Sequence, residues 1–399
     1  MIIAGEPSGD LIAAELVRAL REDPRIRAMD FAPRFFGAGG SRMAAAGVEL
    51  DFDMTRHAVV GLVEVIRKIA SFRRLLRRLV DLAAERQPDL VVCVDFGGFN
   101  LRFARALRRR VGGGGGIFQN WRPRIVQYVS PQVWASRPGR AGAMARTLDL
   151  LLCILPFEKD WYARRTPALR VEFVGHPLLD RHQPTEGPSA DFIKSAPESV
   201  PVGAEASANS GTTIALLPGS RTGELRRHLP VMLEAAKRIS AAHPTTFILV
   251  LPDENLLHLA RQLGLDETAG VKPQIGGLAE ALSTATMAIA CTGTVMLECA
   301  FYGVPTVALY KTSPATYAIA RRVVTVKYLA MPNLLANAPV FPEFIQGAAT
   351  PENLSRATLE LLADPARRLA VKSKLAEIVA SLGGPGAGRR AAAAIASWW

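Results

Sequence analysis

The stretch Ile2-Ile3-Ala4-Gly5-Glu6-Pro7-Ser8-Gly9-Asp10 carries three signals in succession. A short β-branched run breaks at glycine, a Gly/Pro/Ser loop follows, and a helical pattern takes over across residues 10–21. Strand, glycine-rich turn and helix in that order open a βαβ unit. The unit then recurs. Apolar, β-branched runs at residues 34–36, 90–94, 125–129 and 150–155 alternate with helical periodicity at 62–86 and 100–110. Runs at 213–217, 247–251, 287–290 and 306–309 alternate with helical stretches at 224–242, 255–263, 278–284 and 295–302. The expected class is α/β: two Rossmann-like lobes with parallel sheets and an interlobe cleft.

The chain has 399 residues, too many for one ordinary core. Residues 183–211 are rich in Pro, Ser, Ala and Gly without periodicity, which reads as a linker or insertion. Expected boundaries are therefore 1–182 for the first lobe, 183–212 for the linker, 213–370 for the second lobe and 371–399 for terminal helices. Gly112 to Gly116 reads as a further low-complexity loop.

Net charge is +12, which favours anionic partners. No nucleic-acid module with interleaved aromatics accompanies it, so nucleic acid is not expected. Cys93, Cys153, Cys291 and Cys299 lie in apolar segments without CxxC spacing and read as reduced, buried thiols. No apolar run reaches the ~18 residues of a membrane span, and no signal peptide is evident.

Three loops carry chemistry. Glu6, Ser8, Gly9 and Asp10 follow the first strand, where glycines let backbone approach a ligand and helix N–H groups favour anions. A plain tight turn capped by Ser8 or Asp10 explains that loop equally. In the second half Gly219-Ser220-Arg221 sits between strand and helix, and an arginine there can grip a diphosphate bidentately. Pairing with a surface carboxylate is the plainer alternative. Thr292-Gly293-Thr294 forms a similar nest, with Glu298 one turn further for ribose hydroxyls. Asp51-Phe52-Asp53 resembles a metal-binding DxD triplet only superficially, and no metal is expected.

Residues 62–86 form a basic amphipathic helix. Leu62, Ile66, Ile69, Leu76, Val80 and Ala83 share one face, extended by Val60 and Val63, while Arg67, Arg74, Arg77 and Arg78 gather opposite. Such a helix suits an anionic membrane surface. A core-packed helix with a solvated basic face fits the pattern as well.

Together these segments resemble the lipid-A-disaccharide synthase family, inverting transferases of GT-B architecture. The resemblance is carried by residues 4–10, 59–66, 153–158, 217–221 and 292–298. More specific are Val129-Ser130-Pro131-Gln132-Val133-Trp134-Ala135, Val174-Gly175-His176-Pro177-Leu178 and Met331-Pro332-Asn333-Leu334-Leu335 with Glu343 and Gln346.

It implies that UDP-2,3-diacylglucosamine donates its sugar to 2,3-diacylglucosamine 1-phosphate, releasing UDP, at the inner face of the inner membrane. The first lobe would take the acceptor. UDP would lie in the second lobe over Gly219, Ser220, Arg221, Thr292, Gly293, Thr294 and Glu298, with Asn333 on the same side. No cofactor is implied, and the terminal helices either return to the first lobe or exchange within a homodimer.

Inversion needs a base for the acceptor hydroxyl. Family members often carry two aspartates in an Asp-x-Pro-Asp-Phe-Asn segment; this chain has Asp95-Phe96-Gly97-Gly98-Phe99-Asn100, keeping only the first. Asp95 is the expected base with Asn100 positioning it and Arg221 stabilising the leaving diphosphate. The alternative makes Asp95 a helix cap and Asp10 or Glu6 the base. Ser136 stands where a second tryptophan often follows. Two rival readings stay open on residues alone: another UDP-N-acetylglucosamine enzyme of this architecture, transferase or epimerase, and a non-catalytic basic lipid-binding protein.

Overall fold

A computed structural model describes residues 1–54, 62–112, 121–182, 211–266 and 270–398, with side chains from residue 72 onward in the second stretch. The chain divides into two compact units, Met1–Arg181 with Leu382–Trp399, and His182–Ser381.

The first unit holds β1 (Ile2–Ala4), β2 (Phe36–Gly39), β3 (Glu49–Asp53), β4 (Leu90–Val94), β5 (Arg124–Tyr128), β6 (Leu150–Cys153) and β7 (Val171–Phe173). They pair in parallel in the order β3-β2-β1-β4-β5-β6-β7, with Ile2 opposite Gly37 on one side and Val92 on the other. Helices cover both faces, so the central strands are apolar throughout. The two-residue pleat sorts them. Ile3, Val91, Cys93, Ile125 and Leu151 enter one core; Ile2, Val92, Val94, Val126 and Leu152 enter the other.

The second core is closed by the Pro7–Glu22 helix and by Ala387–Ala396, which packs on it. The Gly-His-Pro segment explains that docking. Asp180 receives the N–H groups of Gly386, Ala387 and Gly388 at the start of the terminal helix, and Arg390 donates to the Val174 carbonyl at 2.8 Å.

The second unit repeats the plan with β8 (Thr212–Leu217), β9 (Thr245–Leu251), β10 (Val271–Ile275), β11 (Met287–Cys291), β12 (Thr306–Tyr310) and β13 (Glu343–Ile345). All pairs are parallel, in the order β10-β9-β8-β11-β12-β13. In both units the chain winds outward from its first strand and returns on the other side. That reversal makes topological switch points between β1 and β4 and between β8 and β11.

The strand expected at 34–36 lies instead at Phe36–Gly39, and β3, β7, β10 and β13 were not expected. The Leu62–Arg86 helix forms, but its later half is a core helix: Leu79, Val80 and Ala83 are buried in the first unit. Arg74 and Arg78 are exposed, and Arg78 stacks over Phe52 of β3, 4.4 Å from the ring centre. Val60 and the side chains of Leu62, Val63, Ile66, Arg67 and Ile69 lie outside the described residues, as do residues 113–120 and 183–210. Among the described residues no helix is long and apolar enough to cross a membrane.

Candidate functional site

At the first switch point the loops after β1 and β4 touch. The Phe96 ring lies on Gly5 so closely that any Cβ there would overlap it, and a Cβ on Gly9 would meet that of Asp95 at 3.4 Å. Asp95 and Phe96 are both left-handed, with φ of 50° and 43°. For residues with a Cβ this costs roughly 1–2 kcal/mol each, so the surroundings must hold the turn in place.

They do so from three sides. Asn100 Nδ2 donates to the Asp95 carbonyl at 2.9 Å and Gln127 Nε2 to the same oxygen at 3.0 Å. The Asp95 N–H extends the sheet to the Tyr128 carbonyl at 2.8 Å. Phe96 packs with Phe99 and with Phe72 of the Leu62–Arg86 helix, centroids 5.6 Å and 6.3 Å away. The turn presents a half-buried Asp95 at the carboxyl end of a central strand. Asn100, fully buried, acts on the backbone of that turn.

The residues of the first loop play different parts. The helix starts at Pro7 with Glu6 as its N-cap residue, so neither Ser8 nor Asp10 caps it. Asp10, only 3 % exposed, instead caps the Ser41–Ala45 helix: its oxygens accept from Gly40, Arg42 and Met43 N–H at 2.7, 3.0 and 3.1 Å. A carboxylate so committed is a strut, which removes Asp10 as a candidate base. Glu6 is half-buried; Ser8 is exposed and Gly9 buried in the first turn.

Behind the turn, the Ser-Pro-Gln-Val-Trp segment builds a buried network that sequence reasoning missed. Val129 opens it with φ of 66°. Glu158, 1 % exposed, accepts from Trp134 Nε1 at 2.9 Å and Leu155 N–H at 3.1 Å. The Ser130 hydroxyl meets Tyr162 at 3.0 Å. Burial pushes the Glu158 carboxyl up to about 7, against the pull of its donors from Trp134, Leu155 and Ser130.

At the second switch point, Gly219 is left-handed (φ 111°), and a Cβ there would press on Glu224 and lie 3.2 Å from Cys291 Sγ. The loops after β8 and β11 are thus neighbours. Glu224 reaches back as a capping box, accepting from Ser220 and Arg221 N–H at 3.2 and 3.3 Å. It also pairs with the Arg221 guanidinium at 3.2 Å, yet the Arg221 side chain stays 62 % exposed. Such a pair is weak, so a doubly charged diphosphate can compete for the arginine.

His228 pins this loop from below. Fully buried, it bridges the Pro218 carbonyl at 2.7 Å and the Lys311 N–H at 3.0 Å. Nε2 also lies 3.1 Å from the Lys311 carbonyl, and burial holds the ring's pKa below the usual value. The only signal in the sequence is a histidine on the apolar face of a helix. Thr292 is half-buried, Gly293 and Thr294 are exposed at the end of β11, and Glu298 is half-buried one turn on.

Asn333 does not offer itself to a ligand. It is fully buried, donating to Phe341 O and Glu343 Oε1 at 2.7 and 2.8 Å and accepting from Phe341 N–H at 2.7 Å. Glu343 also receives Leu329 and Ala330 N–H. Together they lock the loop before Met331, a positioning role in place of the expected contact. Gln346 likewise braces Thr312 through both its amide atoms. Among the described residues no group of three or more His, Cys, Asp or Glu is placed to hold a metal ion, and Asp51 of the DxD-like triplet lies 3.5 Å from Arg86.

A family model described as Lipid-A-disaccharide synthetase matches residues 1–395. A lipid-A-disaccharide synthase of Myxococcus xanthus is 38 % identical over 397 residues, covering 99 % of this chain and 96 % of that protein. One from Anaeromyxobacter sp. (strain K) is 40 % identical over 394 residues, covering 98 % and 95 %. Among solved structures, a putative UDP-N-acetylglucosamine 2-epimerase of Listeria monocytogenes superposes with a TM-score of 0.59 at 16 % identity, covering 100 % of this chain and 95 % of that one. The calicheamicin glycosyltransferase CalG4 gives 0.57 at 14 %, covering 100 % and 97 %. These two likenesses speak for the two-sheet α/β fold alone. The near-full-length sequence match decides the rest: the chain belongs to the lipid-A-disaccharide synthase family, glycosyltransferases of lipid A biosynthesis.

Proposed function

We propose that the chain transfers the sugar of UDP-2,3-diacylglucosamine to 2,3-diacylglucosamine 1-phosphate, with inversion and release of UDP. The observation that carries the mechanism is the strained Asp95–Phe96 turn, gripped by Asn100 and Gln127 at a switch point. Strain held this firmly serves a fixed orientation. Asp95 takes the acceptor hydroxyl's proton as the sugar–phosphate bond breaks.

In the second unit, UDP lies over Gly219, Ser220, Arg221, Thr292, Gly293, Thr294 and Glu298. Arg221 exchanges Glu224 for the diphosphate and stabilises the charge growing on the leaving group. His228 and Asn333 hold the loops that make these contacts. Because a guanidinium supplies that charge, turnover is expected without an added metal or cofactor.

The acyl chains of both substrates call for work at a membrane surface. The exposed Arg74, Arg77 and Arg78 suit anionic lipid at the inner face of the inner membrane. The domain roles follow: an acceptor unit and a UDP-sugar unit, with homodimer formation as the proposed assembly. Turnover with the two diacylated substrates, followed as UDP release with and without a chelator, tests the reading. Disaccharide phosphate formed at equal rates supports it. UDP release that ignores the diacylated acceptor overturns the acceptor assignment, and chelator-sensitive turnover overturns the metal-free one.

A further inference from the structure

A cavity of about 130 Å³ opens beside the Asp95 turn, entirely within the first unit. Gly97, Gly98, Gln132, Ser136, Arg137 and Arg140 line it. Its size falls below the ~300–1,000 Å³ that holds a whole small ligand, so it fits one functional group of a larger molecule. The close approach of its walls depends on Gly97, where a Cβ would sit 2.6 Å from Pro131 Cβ. Above Gly98, by contrast, there is open space.

Arg137 lies near Arg140, as do Arg102 and Arg105 from the neighbouring helix, and all three repel the charge on Arg140. Burial, then Arg137, Arg102 and Arg105, push the Arg140 pKa down. Among the described residues none of the four takes part in an ion pair. Arg108, Arg170 and Arg181, by contrast, each meet a carboxylate. Arg102, Arg105 and Arg137 are exposed and Arg140 is half-buried, and an anion entering beside Arg137 and Arg140 would relieve the repulsion on Arg140. The floor adds to this, since Gly97 and Gly98 begin the Gly97–Gly112 helix, whose positive dipole end favours an anion, while the next two N–H groups, of Phe99 and Asn100, go to the Phe96 carbonyl.

We propose that this cavity is a phosphomonoester site, with Arg137 and Arg140 as its binding residues, and that it seats the 1-phosphate of the acceptor sugar. The second half of the statement rests on the proposed reaction. Gly97 is two residues from Asp95, a span of at most about 7 Å. A hexose with its phosphate in the cavity therefore reaches the carboxylate. Planar guanidinium groups suit a phosphate's paired oxygens, so the site selects a phosphorylated acceptor over the free sugar.

The test uses full-length protein, Arg137→Gln, Arg140→Gln, the double variant and Arg140→Lys. Titration with glucosamine 1-phosphate, which has no acyl chains, measures the site apart from turnover. Binding to wild type that weakens at least tenfold in the double variant, with UDP affinity and melting temperature unchanged, is expected; Arg140→Lys falls between. In turnover the acceptor KM rises at least tenfold while kcat and the donor KM stay near wild type.

Glucosamine 1-phosphate binding that ignores both arginines, or an unchanged acceptor KM in the folded double variant, overturns the site. Sedimentation with phosphatidylglycerol vesicles separates the sources of phosphate. If vesicle binding falls with the arginines while glucosamine 1-phosphate binding does not, the cavity reads lipid headgroups and the acceptor assignment is wrong. If sugar phosphate binding tracks the arginines but no disaccharide forms, the site stands and the proposed reaction falls.

Discussion

Glu158→Gln should change how the stability of the first unit depends on pH, and by a predictable amount. In the folded protein the Glu158 carboxyl titrates at about 7 instead of its ordinary 4.5, because burial disfavours its charge. Below pH 4.5 the group is protonated in both folded and unfolded chains and carries no penalty. Between 4.5 and 7 only the unfolded chain ionises, which favours unfolding. Above 7 both are ionised and the full penalty stands. At about 1.36 kcal/mol per pH unit, that penalty is roughly 3 kcal/mol.

The wild-type profile alone will hide it. His176 is buried with its pKa lowered from 6.5 to about 4, chiefly by desolvation, so its contribution is lost as pH falls from 6.5 towards 4. The two groups act oppositely over nearly the same window. Comparing variant with wild type cancels His176 and isolates Glu158. Glutamine is neutral throughout but leaves one of the Trp134 and Leu155 donors facing an NH₂, a constant cost of about 1 kcal/mol. Denaturant unfolding from pH 4.5 to 8 should therefore show the variant gaining some 2–3 kcal/mol on wild type as pH rises, then levelling. A difference that stays flat within about 0.5 kcal/mol would refute the buried-carboxyl account.

Asp10→Ala strands three backbone N–H groups in a buried site and should cost roughly 3 kcal/mol of stability, measured by denaturant midpoint, while turnover per folded molecule persists. His228→Leu should lower stability by about 1–3 kcal/mol and weaken UDP binding in calorimetry, since the Pro218–Arg221 loop loses its tether. Gly98→Ala has open room in a helix and should raise stability by about 0.5–1 kcal/mol. Thermal melting checks it.

The sequence revealed the strands that are buried on both faces. β1, β4 and β11 are unbroken apolar runs, and the switch-point loops follow directly from their ends. Strands at sheet edges escaped because edges need not look like strands. β3 alternates Glu49, Asp51 and Asp53 with Leu50 and Phe52, and β10 carries Lys272 and Pro273, tolerated where no further strand must pair.

Side-chain roles split in the same way. The place of Asp95 is legible because it follows directly on a strand. The task of Asp10 lies in a helix thirty residues away, and those of Glu158, His228 and Asn333 depend on partners far along the chain. No local pattern encodes such contacts. Of the Leu62–Arg86 helix the sequence showed both faces but not what each meets: Phe72, Leu75, Leu76, Leu79, Val80 and Ala83 pack on a core, while Arg74, Arg77 and Arg78 stay exposed.

The account turns on Asp95 as the group that removes the acceptor's proton, and Asp95→Asn tests it most directly. The amide keeps the size of the side chain and removes its basicity. Single-turnover sugar transfer by this variant, with donor bound and folding verified by melting, should fall by about 10²–10⁴-fold while UDP affinity holds. Transfer within a few-fold of wild type would contradict the assignment and return the role to Glu6.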